Sequence, residues 1–196
     1  MIEFHNIVII VFLVIIFYTY YENEQSDVNY TISTFDNRNY LVRNLEDKTD
    51  AANLLAKIRK NIEDLCAHLS NVYPTDENVK RLIEKFNPDS ISETGKNSKY
   101  TSYSVNKGEK IVLCLRARDD DEKLIDENTL MFVSLHEIAH VMNKSIGHKE
   151  DFWKNFKFLL NNAIELQIYK KDDYNNSPKK YCGIMITDTP LNDSSI

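Results

Sequence analysis

The chain has 196 residues, 42% of them hydrophobic, a formal net charge of −6 and a sequence pI near 5.4. That length suits one compact domain plus an extra segment, and the acidic balance argues against a broad nucleic-acid footprint, so no nucleic acid is expected as a partner. Cys66, Cys114 and Cys182 are an odd set without CxxC spacing; neither a disulfide framework nor a zinc ribbon is expected, and all three read as small buried hydrophobes.

Residues 1–22 contain an almost unbroken apolar and aromatic run. Counting from Phe4 to Tyr21 gives eighteen residues, just enough to cross a bilayer core of about 30 Å as a helix. Tyrosines at its end suit the membrane interface. A cleaved signal peptide is disfavoured, because a basic n-region and a small-x-small cleavage site are both missing. The expectation is an N-terminal transmembrane anchor, with its orientation unspecified. Residues 23–48 are polar and acidic with little periodicity, and read as a tether. Asn29, Asn143, Asn175 and Asn192 head glycosylation acceptor sequences, but such matches arise by chance in an Asn-rich chain.

The expected domain is residues 49–190, followed by a flexible tail at 191–196. Asp50 should cap an amphipathic helix through Leu54, Leu55, Ile58, Ile62, Leu65, Leu69 and Val72, stopped by Pro74. His68 lies on it as a structural histidine. Thr75 opens a shorter helix with Val79, Leu82, Ile83 and Phe86. Tyr103 and Val105, a turn at 106–109, and Ile111 to Arg116 then alternate as a β-hairpin. Asp119 to Glu122 reads as a solvated turn, since the EF-hand spacing and its glycine are missing. Asp126 or Asn128 caps the next helix, which runs to about Asn143.

That helix carries His136-Glu137-Ile138-Ala139-His140, the HExxH zinc signature. Histidines four apart project from one helical face, so both imidazoles can reach one Zn2+ ion. Leu130, Met131, Leu135, Ile138, Ala139 and Met142 make the segment too apolar for a surface helix. Gly147 turns the chain, and His148 precedes another helix with Phe152, Trp153, Phe156, Leu159, Leu160, Ala163 and Leu166. His148 is thereby returned toward the first pair. Three imidazoles leave a fourth coordination position open, the arrangement of a catalytic site. Glu137 is placed to act as general base toward a zinc-activated water. Tyr181 and Tyr174 are both candidates for assisting at an oxyanion, and residues 181–186 read as a short strand.

The HExxH motif with Gly147-His148 and Asp151-Phe152-Trp153 resembles the WLM family of zinc metallopeptidases, relatives of the SprT and Spartan proteases, with members in large DNA viruses. The resemblance covers about Lys110 to Leu160 and places the family's zinc ligands at His136, His140 and His148 and its catalytic glutamate at Glu137. It implies an α+β, zincin-like fold with a small antiparallel sheet packed on the HExxH helix. It also implies that a protein or peptide substrate is held as an added strand, with Ile111 to Arg116 as the candidate receiving strand. The seven residues between His140 and His148 exceed the gap usual in the family. Without a basic tail or zinc ribbon, a DNA-repair role does not carry over. The function expected is a membrane-anchored zinc peptidase. The alternatives are a hydrolase of ubiquitin-like conjugates and a non-enzymatic membrane protein with a structural zinc.

Overall fold

A computed structural model describes residues 4–24, 27–119 and 121–195. The expectations that touch residues 1–3, Asp120 and Ile196 lie outside the described residues. The chain is α+β. A helix α1 (Phe4–Glu24) precedes strands β1 (Val28–Ile32) and β2 (Asn39–Arg43), helices α2 (Lys48–Val72) and α3 (Glu77–Lys85), and strands β3 (Ile91–Glu93), β4 (Tyr103–Val105) and β5 (Lys110–Leu113). Helices α4 (Glu127–Met142) and α5 (Glu150–Glu165) follow, then a two-stranded hairpin of β6 (Lys179–Tyr181) and β7 (Ile184–Ile186).

The segment expected to be a tether is part of the domain. β1 and β2 pair antiparallel from Val28↔Arg43 to Ile32↔Asn39, and β2 joins β3 in parallel at Leu41↔Ser92. The reason is one-sided burial in a mostly polar segment. Val42 is fully buried and Tyr40 nearly so, while Asn39 faces solvent. Two such alternations are too short to read as periodicity against the surrounding Asn, Asp and Arg. Arg43 strengthens the join, its backbone N–H donating to Glu93 Oε2 at 2.6 Å.

The sheet among the described residues is mixed, not purely antiparallel. Its order is β1-β2-β3-β5-β4, with β3 and β5 parallel and β4 antiparallel to β5. The crossover from β2 to β3 through α2 and α3 makes the first parallel pairing possible. The Tyr103–Val105 and Lys110–Leu113 hairpin forms as its alternation predicts, with Ser104 opposite Ile111. Its consequence differs from expectation. β5 is covered on one edge by β3 and on the other by β4, so no substrate strand can be added to it. The sheet's edge strands are β1 and β4, and β4 is the one beside β5.

Helix boundaries shift by a turn or less. α2 starts at Lys48, placing Asp50 in its first turn and Asp47 at the cap position. Asp76, not Thr75, caps α3, accepting from the N–H groups of Asn78 and Val79. Leu55, Ile58, Ile62, Leu65 and Leu69 of α2 pack into the same core as Leu130, Met131, Leu135 and Ile138 of α4 and Phe152, Phe156 and Leu159 of α5. His68 is half-buried on α2, and no partner among the described residues reaches its Nε2.

The cysteine expectation fails in part. Cys114 and Cys182 form a disulfide that ties the end of β5 to the β6–β7 turn across 68 residues. Spacing in sequence could not show it, since the two are brought together only by the sheet and the late hairpin. Cys66 stays free and half-buried, and burial pushes its thiol up to about 12.

α1 stands apart from the core. From Val8 to Tyr18 its apolar side chains are exposed, Phe17 by 69% and Phe12 by 62%. Among the described residues no helix is long and apolar enough to cross a membrane. The transmembrane expectation is therefore not met by the described part of the chain.

Candidate metal centre

α4 brings two of the three histidines together. Asp126 opens it, accepting from the Thr129 N–H at 2.9 Å and the Thr129 hydroxyl at 2.7 Å. The helix is buried on nearly every side, which is why its sequence is apolar almost throughout. His136 and His140 lie one turn apart on the face it leaves open, with ring centroids 4.9 Å apart. Asn143 ends the helix, Gly147 turns the chain at φ +81°, and His148 returns just before α5. The Trp153 indole N–H donates to the His148 carbonyl at 3.1 Å, fixing that return.

His148 Nε2 lies 3.0 Å from His136 Nε2 and 3.1 Å from His140 Nε2. A ring nitrogen offers one in-plane N–H or one lone pair, so His148 Nε2 cannot align with both neighbours. Three nitrogens converging on one point suit a shared cation. Two ligand nitrogens on a tetrahedral zinc lie roughly 3.3–3.4 Å apart for Zn–N distances of about 2.0–2.1 Å, close to the separations here. Burial, followed by the neighbouring imidazoles, holds the His136 ring down to about 3. Burial, then His148 and Lys107, holds His140 down to about 4. Both rings are therefore neutral at physiological pH, as metal ligation requires.

Glu137 is 6% exposed, and desolvation raises its carboxyl to about 7. It lines, with all three histidines, a cleft of about 620 Å³. One wall of that cleft is the edge strand β4 and the residues before it, Thr101 to Ser104; another is the β6–β7 hairpin with Tyr181, Ile184 and Ile186.

A family model for the WLM domain matches residues 34–190. The chain belongs to the WLM domain family. It is 37% identical over 190 residues to "Uncharacterized protein R325" of Acanthamoeba polyphaga mimivirus, covering 95% of this chain and 96% of that one. It is 40% identical over 82 residues to "Uncharacterized protein 136R" of Invertebrate iridescent virus 6, covering 41% of this chain and 44% of the relative. Among solved structures, Wss1 from Saccharomyces cerevisiae matches with a TM-score of 0.49 at 21% identity, covering 64% of this chain and 87% of that one.

The WLM match begins at residue 34, inside the segment expected as a tether, and takes in β2, while β1 lies before it. All four site residues expected from the sequence lie in one cleft. Of the two tyrosines, only Tyr181 lines it. Its hydroxyl is 2.6 Å from Ser102 Oγ, and burial raises its pKa. Tyr174 packs on Phe132 at 4.8 Å, with its hydroxyl 3.4 Å from that of Tyr169; it does not line the cleft. Ser102, Ser104 and Lys107 are cleft residues that sequence reasoning missed. Short polar side chains beside a turn carry no signal that they face a helix 30 residues later. The Asn143 acceptor sequence is closed off, because that side chain is 1% exposed and bonded to Ser145 and Asn155.

Proposed function

We propose that this WLM-domain chain is a zinc-dependent metallopeptidase, with His136, His140 and His148 holding the ion and Glu137 as general base. The observation that carries it is the convergence of three imidazole nitrogens in a cleft shared with a buried glutamate. Zinc, when bound, supplies Lewis acidity to a water and to the scissile carbonyl. The chain's own part is proton handling and alignment. Glu137, with a carboxyl near neutrality, can take a proton and later release it to the leaving amine. The free edge of β4 offers unpaired backbone groups along the cleft, suited to a protein or peptide substrate in extended form. Its relatives are viral proteins, which supports reading this one as viral.

α1 is proposed as a membrane anchor, supported by its apolar side chains exposed from Val8 to Tyr18. The side of the membrane is left open. Carbonate extraction of the full chain against residues 27–196 checks it, and equal release of both into the soluble fraction would argue against an anchor.

The catalytic reading is tested by Glu137→Gln together with alanine variants of the histidines. Each histidine variant should lose stoichiometric zinc. Glu137→Gln should keep it and lose hydrolysis of disordered protein substrates by ~10²–10⁴-fold. A wild type that binds zinc yet cuts nothing in a broad substrate screen would leave a structural zinc site in its place.

A further inference from the structure

The His140-to-His148 connection is pinned at its ends, by Asn143 on Ser145 and Asn155 and by the Trp153 indole on the His148 carbonyl, but its tip is open. Ile146 is 83% exposed, Gly147 and His148 are exposed, and a Cβ on Gly147 would meet nothing within 4 Å. Yet this segment sets where His148 stands. A further hold comes from across the cleft. Lys107, in the turn between β4 and β5, donates from Nζ to three successive carbonyls: Asn143 at 2.7 Å, Lys144 at 2.8 Å and Ser145 at 2.9 Å. An ammonium has three N–H donors, and all three are spent here, so Lys107 has none left for a substrate carboxylate.

The turn is shaped for this contact. Asn106 and Lys107 both adopt left-handed backbone conformations, at φ 46° and 55°, which a lysine takes only at a cost. Gly108 follows at φ +110°, where a Cβ would sit 2.6 Å from the Lys85 carbonyl oxygen and 2.8 Å from Val141 Cγ1. The turn is thus pressed against α3 and α4, and Lys107 is aimed at the carboxyl end of α4. That end attracts a cation through the helix dipole.

We infer that Lys107 is a positioning residue for the third histidine, an ammonium clasp that holds the backbone from Asn143 to Ser145 and so presents His148 to His136 and His140. The inference rests on reading the triad as a metal site. It requires nothing of the peptidase chemistry. A second effect of Lys107 has the opposite sign and makes the test sharp. Lys107 lines the same cleft as the three histidines, and a cation near the triad repels a dication. Deleting that charge alone would tighten zinc binding, whereas deleting the clasp should weaken it.

Lys107→Met keeps the aliphatic stem and removes the donors. In the full chain it should weaken zinc binding by ~10–100-fold, the usual cost of losing support to a metal ligand. It should also alter the visible spectrum of the cobalt(II)-substituted protein and speed amide exchange from residue 143 to 148. Lys107→Arg, which restores donors, should recover most of the affinity, and Lys110→Met, an exposed strand substitution, should match wild type. Zinc affinity of Lys107→Met equal to wild type within about twofold, or tighter, overturns the inference. If Lys107→Met fails to fold, Lys107→Gln replaces it: intermediate affinity with faster loop exchange supports the clasp, and wild-type values overturn it. A wild type that binds metal and depends on Lys107 but hydrolyses no peptide would sustain the clasp and sink the peptidase reading.

Discussion

At the scale of single residues, Glu137 carries a cost that can be measured apart from any activity. In the folded, metal-free protein its carboxyl is raised to about 7 by burial, against the ordinary 4.5. A raised carboxylate disfavours the folded state wherever the unfolded chain is already ionised. The penalty starts above pH 4.5, grows to about pH 7 and is then constant, at most about 3 kcal/mol for such a shift. Glu137→Gln removes it. Metal-free Glu137→Gln should therefore melt higher than metal-free wild type at pH 8, with the gap shrinking below about 1 kcal/mol at pH 5. His136 and His140 titrate with the opposite sign, destabilising the fold as pH falls below 6.5, but they are common to both proteins and cancel in the comparison. Equal melting at pH 8 would show that the carboxylate is solvated and unsuited to its proposed role. HExxH spacing announced these residues because two histidines on one helical face need no tertiary information. Lys107 and Ser102 were hidden because their partners lie on other elements.

At the scale of elements, the helices and the β4–β5 hairpin were readable, and β1, β2 and β3 were not. α2 and α5 repeat their apolar positions over several turns, long enough for the period to stand out from the composition, whereas α4, apolar almost throughout, was marked by HExxH and its Asp126 cap. β1 and β2 have five residues each, and their burial does not follow polarity: Tyr30 and Ile32 are exposed while Arg43 is buried. Their importance is visible in Val42, fully buried, and in Arg43, whose N–H is taken by Glu93 and whose guanidinium reaches Asp27 and Glu122. A chain starting at residue 49 would expose the β3 edge and strand the Glu93 carboxylate, itself raised by burial, with one partner fewer. Residues 27–196 should show a single cooperative thermal transition, and residues 49–196 should not. Cooperative melting of the shorter chain would return residues 27–48 to the status of a tether.

At the scale of the molecule, one covalent link joins two parts that the sheet's hydrogen bonds leave separate. Among the described residues the β6–β7 hairpin pairs with no strand of the main sheet, yet Tyr181, Ile184 and Ile186 form a wall of the cleft. A lone two-stranded hairpin is marginal in water. Tyr181, 1% exposed and bonded to Ser102, and the Cys114–Cys182 disulfide attach it, beside a Lys180–Asp119 ion pair at 3.9 Å and the packing of Ile186 on the core. In the chain-entropy account, closing a loop of 68 residues stabilises the fold by about 4 kcal/mol. Replacing both cysteines by serine should cost ~2–4 kcal/mol of stability. Because α4 and the Lys107 turn do not depend on the hairpin, zinc stoichiometry should survive, while hydrolysis should fall through a looser cleft wall. Thiol counting tests the link itself. Denatured, unreduced protein should take up one alkyl label at Cys66, and reduced protein three. Native protein should label slowly, because burial keeps the Cys66 thiol protonated. Three labels without reduction would mean that the hairpin is held by non-covalent contacts alone, and the serine variants should then lose little stability.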